Sequence, residues 1–416
     1  MNKLNKWMGN KLCELNVTEA MDVSDGFTRL GYTKEELSAH HQFIKIASEL
    51  GLTNYQDQAG NQWAVWEIDK NAPTIAVGSH LDTVYNGGGY DGVVGVLCAL
   101  AAIKMLKDKQ FTPGKNIAVI CFISEESARF GVSTIGSKAL VGELEKTDLA
   151  TVTDSEGITI KQAVEDMGLT WEDIEQAELG KDDLEQFVEL HIEQGKQLQE
   201  NNANIGIVEG IARPIRLIVK VSGMANHTGT TPMNQRQDAF VAIAPLVSFV
   251  NEEALKINRE QATPLVATVS TAHVKPNAMN IIPSEVELGI DIRSVDDDLK
   301  KKLAENIKTY CLEMEKKYHV AVTVTNLVDN HSIRLDETTK QKLIDVCETL
   351  GLTTRVMDSG AGHDVMNMAS KWPCGLIFIP CLDGISHQPD EFTATENLVN
   401  GAKVLENYLQ TETQTE

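Results

Sequence analysis

The chain has 416 residues, 60 of them acidic against 37 basic, and the net charge of −23 argues against nucleic acid or an anionic membrane surface as a partner. Its 42% apolar and 23% charged residues have the balance of a soluble globular protein, and its length makes two domains the expectation. Seven cysteines, an odd number with no C-x-x-C pair, point to reduced thiols in the cytoplasm and not to a disulfide framework.

Residues 1–17 mix Lys, Asn and Glu with apolar residues, so neither a signal peptide nor a membrane span is expected there. Residues 4–16 and 34–51 space their apolar side chains as helices do, the second stopping at a glycine, and 63–67 alternates like a strand of a hairpin. The apolar run 74–77 enters Gly78-Ser-His80-Leu-Asp82. A glycine-rich turn then leads to Asp91, and 92–106 reads as a helix. This strand end, glycine loop and helix start belong at the carboxyl edge of a sheet, where open α/β sheets keep their ligands. A second apolar run, 116–123, ends in Ser124-Glu125-Glu126, and a third, from Phe187, ends in His191-Ile-Glu193-Gln194-Gly195. The acidic segment 150–183 reads as helix-rich and exposed.

The character changes near Ile211. Strands at 215–221, 265–274, 285–293 and 320–328 alternate with helices at 238–257 and 296–318 in the order β-α-β-β-α-β. That order describes two helices on one antiparallel, ferredoxin-like sheet, inserted at 212–328 as a lid and dimerisation domain. Residues 338–351 read as a helix. Polar loops at 358–364 and 383–391 carry His363 and His387, and a helix at 396–410 closes the chain. The fold class is therefore α/β. A discontinuous domain, 1–211 and 329–416, has a mixed, mostly parallel sheet flanked by helices, and carries the α+β insertion.

Acids at the end of a buried strand are costly unless something pairs with them. His80, Asp91, Glu126, His191 and His387 are the types that bind a borderline divalent ion through nitrogen and oxygen. A bridging carboxylate with two ligands per side holds two ions about 3.5–4 Å apart, polarising a carbonyl and acidifying a water. Glu125, beside one of these residues, is the candidate general base. An ion pair with Arg129 is its alternative.

These blocks, together with Asn86-Gly-Gly-Gly-Tyr-Asp91-Gly92, Ala225-Asn-His227-Thr-Gly-Thr-Thr-Pro232-Met, Pro276-Asn277-Ala-Met-Asn280, Asp291-Ile-Arg293, Ser359-Gly-Ala-Gly362-His363-Asp364 and Ser386-His387, resemble the hydantoinase/carbamoylase family. That family is the carbamoylase and allantoate amidohydrolase branch of the dinuclear-metal aminoacylase/carboxypeptidase superfamily. The resemblance implies that His80, Asp91, Glu126, His191 and His387 hold two divalent ions per subunit, with Asp91 bridging. Zinc is the first choice, and manganese, cobalt and nickel are compatible with the same ligands. It makes Asp82 the acid orienting His80, Glu125 the general base, and Gln194, His227, Asn280, Arg293 and Gly362 substrate contacts. Arg293 suits a carboxylate because its fork bonds both oxygens. In similar enzymes the lid histidine, here His227, reaches the partner subunit's site and stabilises an oxyanion, which implies a homodimer through the lid. For His363 a structural hydrogen bond and a catalytic role stand side by side. His40, His41, His273, His319 and His331 receive no role.

The expected activity is hydrolysis of the carbamoyl C–N bond of an N-carbamoyl-L-amino acid. Allantoate is the alternative substrate, and aminoacylase or dipeptidase activity a third reading. A non-catalytic binding protein on a decayed enzyme fold should have lost at least one of Glu125 and the five ligands, and none is missing.

Overall fold

The computed structural model describes residues 3–414, so residues 1–2 and 415–416, at the outer ends of the 1–211 and 329–416 segments, lie outside it. Two compact units emerge. The strands, in chain order, are β1 (Thr53–Gln56), β2 (Gln62–Trp66), β3 (Thr74–His80), β4 (Asn116–Phe122), β5 (Gln186–Ile192), β6 (Ile205–Ile211), β7 (Ile215–Ser222), β8 (Val266–Lys275), β9 (Glu285–Arg293), β10 (Ala321–Asp329), β11 (Ile333–Arg334), β12 (Thr354–Ser359) and β13 (Cys374–Ile379).

The larger unit comprises Met1–Glu209, Leu335–Met357 and His363–Glu416. Its sheet runs β1-β2-β4-β3-β5-β13-β6. β4, β3, β5 and β13 are mutually parallel, and β2 and β6 flank them antiparallel. The parallel strands are near-continuous apolar runs because both faces are covered. The helix Val93–Asp108 is apolar all round and buried on nearly every side. It shares one core with the helices Lys3–Leu15, Lys34–Glu49, Glu337–Thr349 and Thr395–Thr413 through residues such as Met8, Phe43, Leu97, Leu343 and Leu405. Among the described residues no helix is long and apolar enough to cross a membrane.

The smaller unit comprises Gly210–Arg334 and Asp358–Gly362, extending past the limits read at 212 and 328. Its sheet, β10-β7-β9-β8, is antiparallel throughout. The helices Ala239–Glu260 and Asp297–Tyr318 cover one face, onto which β7 turns Ile215, Leu217, Val219 and Val221. Asp238 and Asp296 cap these helices by accepting backbone N–H groups of their first turns.

The structure corrects the reading of 150–183 as exposed. Ile160 and Val164, on the helix Ile160–Asp166, and Trp171 and Ile174, on a 3₁₀ turn, are buried, so only the acidic face meets solvent. The 358–364 loop starts inside β12, which pairs with β6.

Candidate metal centre

Four parallel strands bring their carboxyl ends to one edge. β3 ends on His80 and β5 carries His191 one residue from its end. Beyond β4 the chain turns through Ser124, held at φ 51, and presents Glu125 and Glu126. Beyond β13 a loop presents His387 at φ 60. Asp91 comes from the glycine loop after β3. Gly92 follows it at φ 65, where a Cβ would lie 2.5 Å from the His80 ring, so only glycine lets the helix start against that histidine.

The five residues fall into two sets that could each hold a cation: His80, Asp91 and His191, and Asp91, Glu126 and His387. Asp91 belongs to both and turns one oxygen to each. Its Oδ1 lies 3.4 Å from His80 Nε2 and 2.9 Å from His191 Nε2, and its Oδ2 lies 3.3 Å from His387 Nε2. His387 Nε2 is also 3.3 Å from Glu126 Oε1.

The donor chemistry suits a divalent metal. Nδ1 of His80 faces the Asp82 carbonyl at 3.1 Å, and Nδ1 of His191 faces the Ile192 carbonyl at 3.0 Å. Carbonyls only accept, so both rings carry a proton on Nδ1, and in the neutral form each Nε2 turns its lone pair to Asp91. Gly92 N–H donates to His191 Nε2 at 3.2 Å, in keeping with that tautomer. Lone pairs thus converge on an anionic oxygen, an arrangement that calls for positive charge among them.

The protonation equilibria follow the same logic. Contacts with Asp91 and Glu126 raise His387 to about 11. Burial would lower His80 and His191, but Asp82 and Asp91 for the first, and Asp91 for the second, reverse the sign. Burial would raise Asp91, yet His191, His387 and His80 hold it well below the usual carboxylate range.

Glu125 is buried, with Oε2 3.9 Å from His80 Nε2. Burial pushes its carboxyl well up, and Glu126, Asp364 and Asp82 push further against His80. That environment suits a group that takes and returns a proton near neutral pH. The alternative pair with Arg129 is not formed: Arg129 binds Asp154 at 3.0 Å and the carbonyls of Gly31 and Tyr32. Asp82, fully buried, accepts the backbone N–H of Glu125 at 3.0 Å and of Glu126 at 2.9 Å, and its Oδ1 lies 3.3 Å from His80 Nδ1. It therefore ties β3 to the turn after β4.

Gln194 lies within this cluster. Its amide donates to Asp91 Oδ2 at 2.7 Å and sits 3.2 Å from His387 Nε2. His227, Asn280, Arg293 and Gly362 belong to the smaller unit. The N–H of Thr228 donates to the Asn280 carbonyl at 3.2 Å, joining the loops of His227 and Asn280. His227 Nδ1 accepts the N–H of Gly229 at 3.0 Å, which leaves the Nε2–H of the neutral ring as a donor. Arg293 binds Asp291 through Nε at 2.8 Å and Nη2 at 3.4 Å, and the Gly360 carbonyl through Nη1 at 2.9 Å. Gly362 closes the short 358–362 stretch.

Sequence reasoning missed three buried acids. Glu36 accepts the N–H of Ser124 at 2.8 Å and of Tyr32 at 2.6 Å, bracing the turn that carries Glu125. Glu189, two residues before His191, accepts from Ser79 Oγ and from Val365 N–H, both at 2.8 Å. Glu391 closes the His387 loop. Only Glu189 carries a signal in sequence, an acid inside an apolar run, whereas Glu36 and Glu391 stand among other polar residues. His363 stacks edge-on to His191, ring centres 4.6 Å apart, and to Phe378 at 5.4 Å, forming an aromatic wall beside the centre.

The model of Peptidase family M20/M25/M40 matches residues 76–411. The chain is 36% identical over 383 residues to an N-carbamoyl-L-amino acid amidohydrolase of Geobacillus stearothermophilus, covering 92% of each. It is 36% identical over 389 residues to a ureidoglycolate hydrolase of Arabidopsis thaliana, 92% of this chain and 81% of that one. With an allantoate amidohydrolase of Escherichia coli it shares 34% over 390 residues, 92% of each. A crystal structure of a hydantoinase/carbamoylase family amidase from Burkholderia multivorans superposes with a TM-score of 0.87 at 28% identity, over 98% of both chains.

Proposed function

The chain belongs to peptidase family M20/M25/M40 and to its hydantoinase/carbamoylase branch, and on that premise we propose that it hydrolyses the carbamoyl C–N bond of an N-carbamoyl-L-amino acid. The products are the amino acid, carbon dioxide and ammonia. The observation that carries this reading is Asp91 shared between two sets of ligands with buried Glu125 beside them.

We assign His80, Asp91 and His191 to one divalent ion and Asp91, Glu126 and His387 to a second, with zinc as the first choice among the metals that this mixed nitrogen and oxygen set admits. When bound, the pair supplies Lewis acidity to the substrate carbonyl and makes a water acidic enough to be deprotonated. Glu125 takes a proton from the attacking water, whose oxygen bonds to the carbamoyl carbon as the carbonyl π bond opens. The Nε2–H of His227 donates to the oxyanion as the tetrahedral centre forms. Glu125 then delivers the proton to the departing nitrogen, and the carbamate left behind loses carbon dioxide. Arg293 receives the substrate carboxylate on its guanidinium, which Asp291 and the Gly360 carbonyl hold in orientation. Asn280, Gln194 and Gly362 complete the polar contacts.

The smaller unit is assigned as lid and dimerisation domain of a homodimer, and the protein is placed in the cytoplasm, where its seven free cysteines stay reduced. Ammonia release by the metal-loaded protein tests the reading, with N-carbamoyl-L-amino acids compared against allantoate and ureidoglycolate. Turnover of a carbamoyl amino acid with the highest kcat/KM is the expected result. Preference for allantoate or ureidoglycolate, which offer the same carboxylate and ureido groups, would transfer the assignment to that substrate. Activity on none of them, with metal bound, would overturn the carbamoyl assignment in favour of N-acyl amino acids or dipeptides.

A further inference from the structure

Of the five ligand residues, His387 has the weakest support from the fold. His80 and His191 lie on central strands, and Glu126 is fixed by its N–H bond to Asp82. His387 stands in the loop between β13 and the helix Thr395–Thr413, its side chain half exposed and its backbone at φ 60. A loop of this kind places a metal ligand well only if something fastens it.

The carboxylate of Glu391 does so across nearly the length of the chain. Its Oε1 accepts the backbone N–H groups of Tyr90 and Asp91, both at 2.9 Å. Its Oε2 accepts Ser386 Oγ at 2.9 Å and the N–H of His387 at 3.3 Å. The residue is buried, 3% exposed, and all four donors are uncharged. Gly88 makes this approach possible, since a Cβ there would lie 2.3 Å from both Cβ and Oε1 of Glu391. Tyr90 and Phe392 pack edge to face at 5.7 Å alongside.

We infer that Glu391 is a positioning residue that fixes His387 against Asp91 and so governs occupancy of the Asp91–Glu126–His387 set. The inference rests on the two-ion reading of the centre. The two sets depend on Glu391 unequally. Asp91 is also held by its contacts with His80, His191 and Gln194. His387 has the Glu391 clamp as its backbone tie to the glycine loop. Loss of the clamp therefore acts on the second ion and spares the first.

Glu391→Gln keeps the shape but replaces one oxygen by an NH₂ group, so one pair of donors loses its acceptor in either orientation of the amide. Metal titration of wild type and variant against a chromogenic chelator reads both dissociation constants directly. Wild type is expected to bind two ions per chain. In Glu391→Gln one of the two constants should weaken by about 10–100-fold, the size typical of losing a residue that orients a ligand, while the other stays within about threefold. Excess metal should then restore kcat. Glu391→Asp, whose shorter side chain cannot reach both donor pairs at once, gives a second arm should the first variant not fold, and is expected to weaken the same ion with the other unchanged. Equal weakening of both ions, or two unchanged constants, in whichever variant folds would overturn the inference. A wild-type stoichiometry of one or zero would instead overturn the two-ion reading beneath it.

Discussion

Glu125 and Glu126 are neighbours in sequence with different surroundings, and that difference decides their chemistry. Burial raises both carboxyls, but Glu126 touches His387 at 3.3 Å, which opposes the rise, whereas Glu125 lies 3.9 Å from His80 and is pressed further by Glu126, Asp364 and Asp82. Glu125→Gln should therefore bind the same two ions while kcat falls by about 10²–10⁴. A variant that lost metal as well as turnover would count against the general-base assignment. Arg293 gives a second prediction. A lysine can satisfy Asp291 or a carboxylate, but not both along two edges of one planar group. Arg293→Lys should raise KM by about tenfold or more and change kcat less, and an unchanged KM for carboxylate substrates would remove the clamp. What was legible at this scale was chemistry at strand ends: His80, Glu126 and His191 are conspicuous because ionisable residues follow apolar runs, while Asp91 stands in a glycine-rich turn and His387 in a polar loop. Glu36 and Glu391 were not, because each acts on backbone donors 88 or 300 residues away, and no local pattern encodes a pairing that distant.

Elements were legible where one physical rule dominated. β3, β4, β5 and β13 are mostly apolar runs because both faces are covered, and the strands and helices of the smaller unit alternate as half-buried elements must. β12, with the sequence Thr-Arg-Val-Met-Asp-Ser, has no such signature and is a strand because β6 offers it hydrogen bonds. The helix Lys34–Glu49 hides a different feature. Thr33 caps it and Glu36 works from its first turn, but His40 is fully buried with neither ring nitrogen hydrogen-bonded among the described residues. Burial lowers His40 to about 4, Asp82 opposing and Arg29 and His41 assisting. An unfolded histidine titrates near about 6.5. The unfolded chain therefore binds the proton first, and this residue costs stability as pH falls from about 6.5 towards 4. His40→Leu should be more stable at pH 7 by about 1 kcal/mol, since two unpartnered polar atoms leave the core. Its advantage should widen by about 1.4 kcal/mol at pH 5.5, one unit below the unfolded value. Urea midpoints of both proteins at the two pH values check this, and a gap that narrows on acidification contradicts it.

At the scale of the whole molecule, the two units have separate hydrophobic cores, and the two candidate metal-binding sets lie wholly in the larger one. Around those sets the larger unit also buries Asp82, Glu125, Glu189, Asp364 and Glu391. Burial raises Glu125, Glu189, Asp364 and Glu391, and like-charge neighbours add to the rise at Glu125, Asp364 and Glu391. Folding this unit gathers acids that repel one another, and bound cations are the natural offset. An ion that binds only the folded state stabilises by about 2.7 kcal/mol when free metal is about a hundred times the dissociation constant. In a unit of this size that is a rise of about 5–10 °C in midpoint for each ion. The smaller unit, with its own apolar core and no part in either set, has no reason to respond. Calorimetry with saturating zinc and with a chelator should therefore move one transition upward on metal binding and leave a second in place. The moving transition should also be the one that Glu391→Gln shifts least towards the fully loaded position, because that variant holds the second ion more weakly. Two transitions moving in step would mean that the smaller unit draws its stability from the larger. No movement at all would mean that the buried acids are satisfied without metal, and the two-ion assignment would fall with that result.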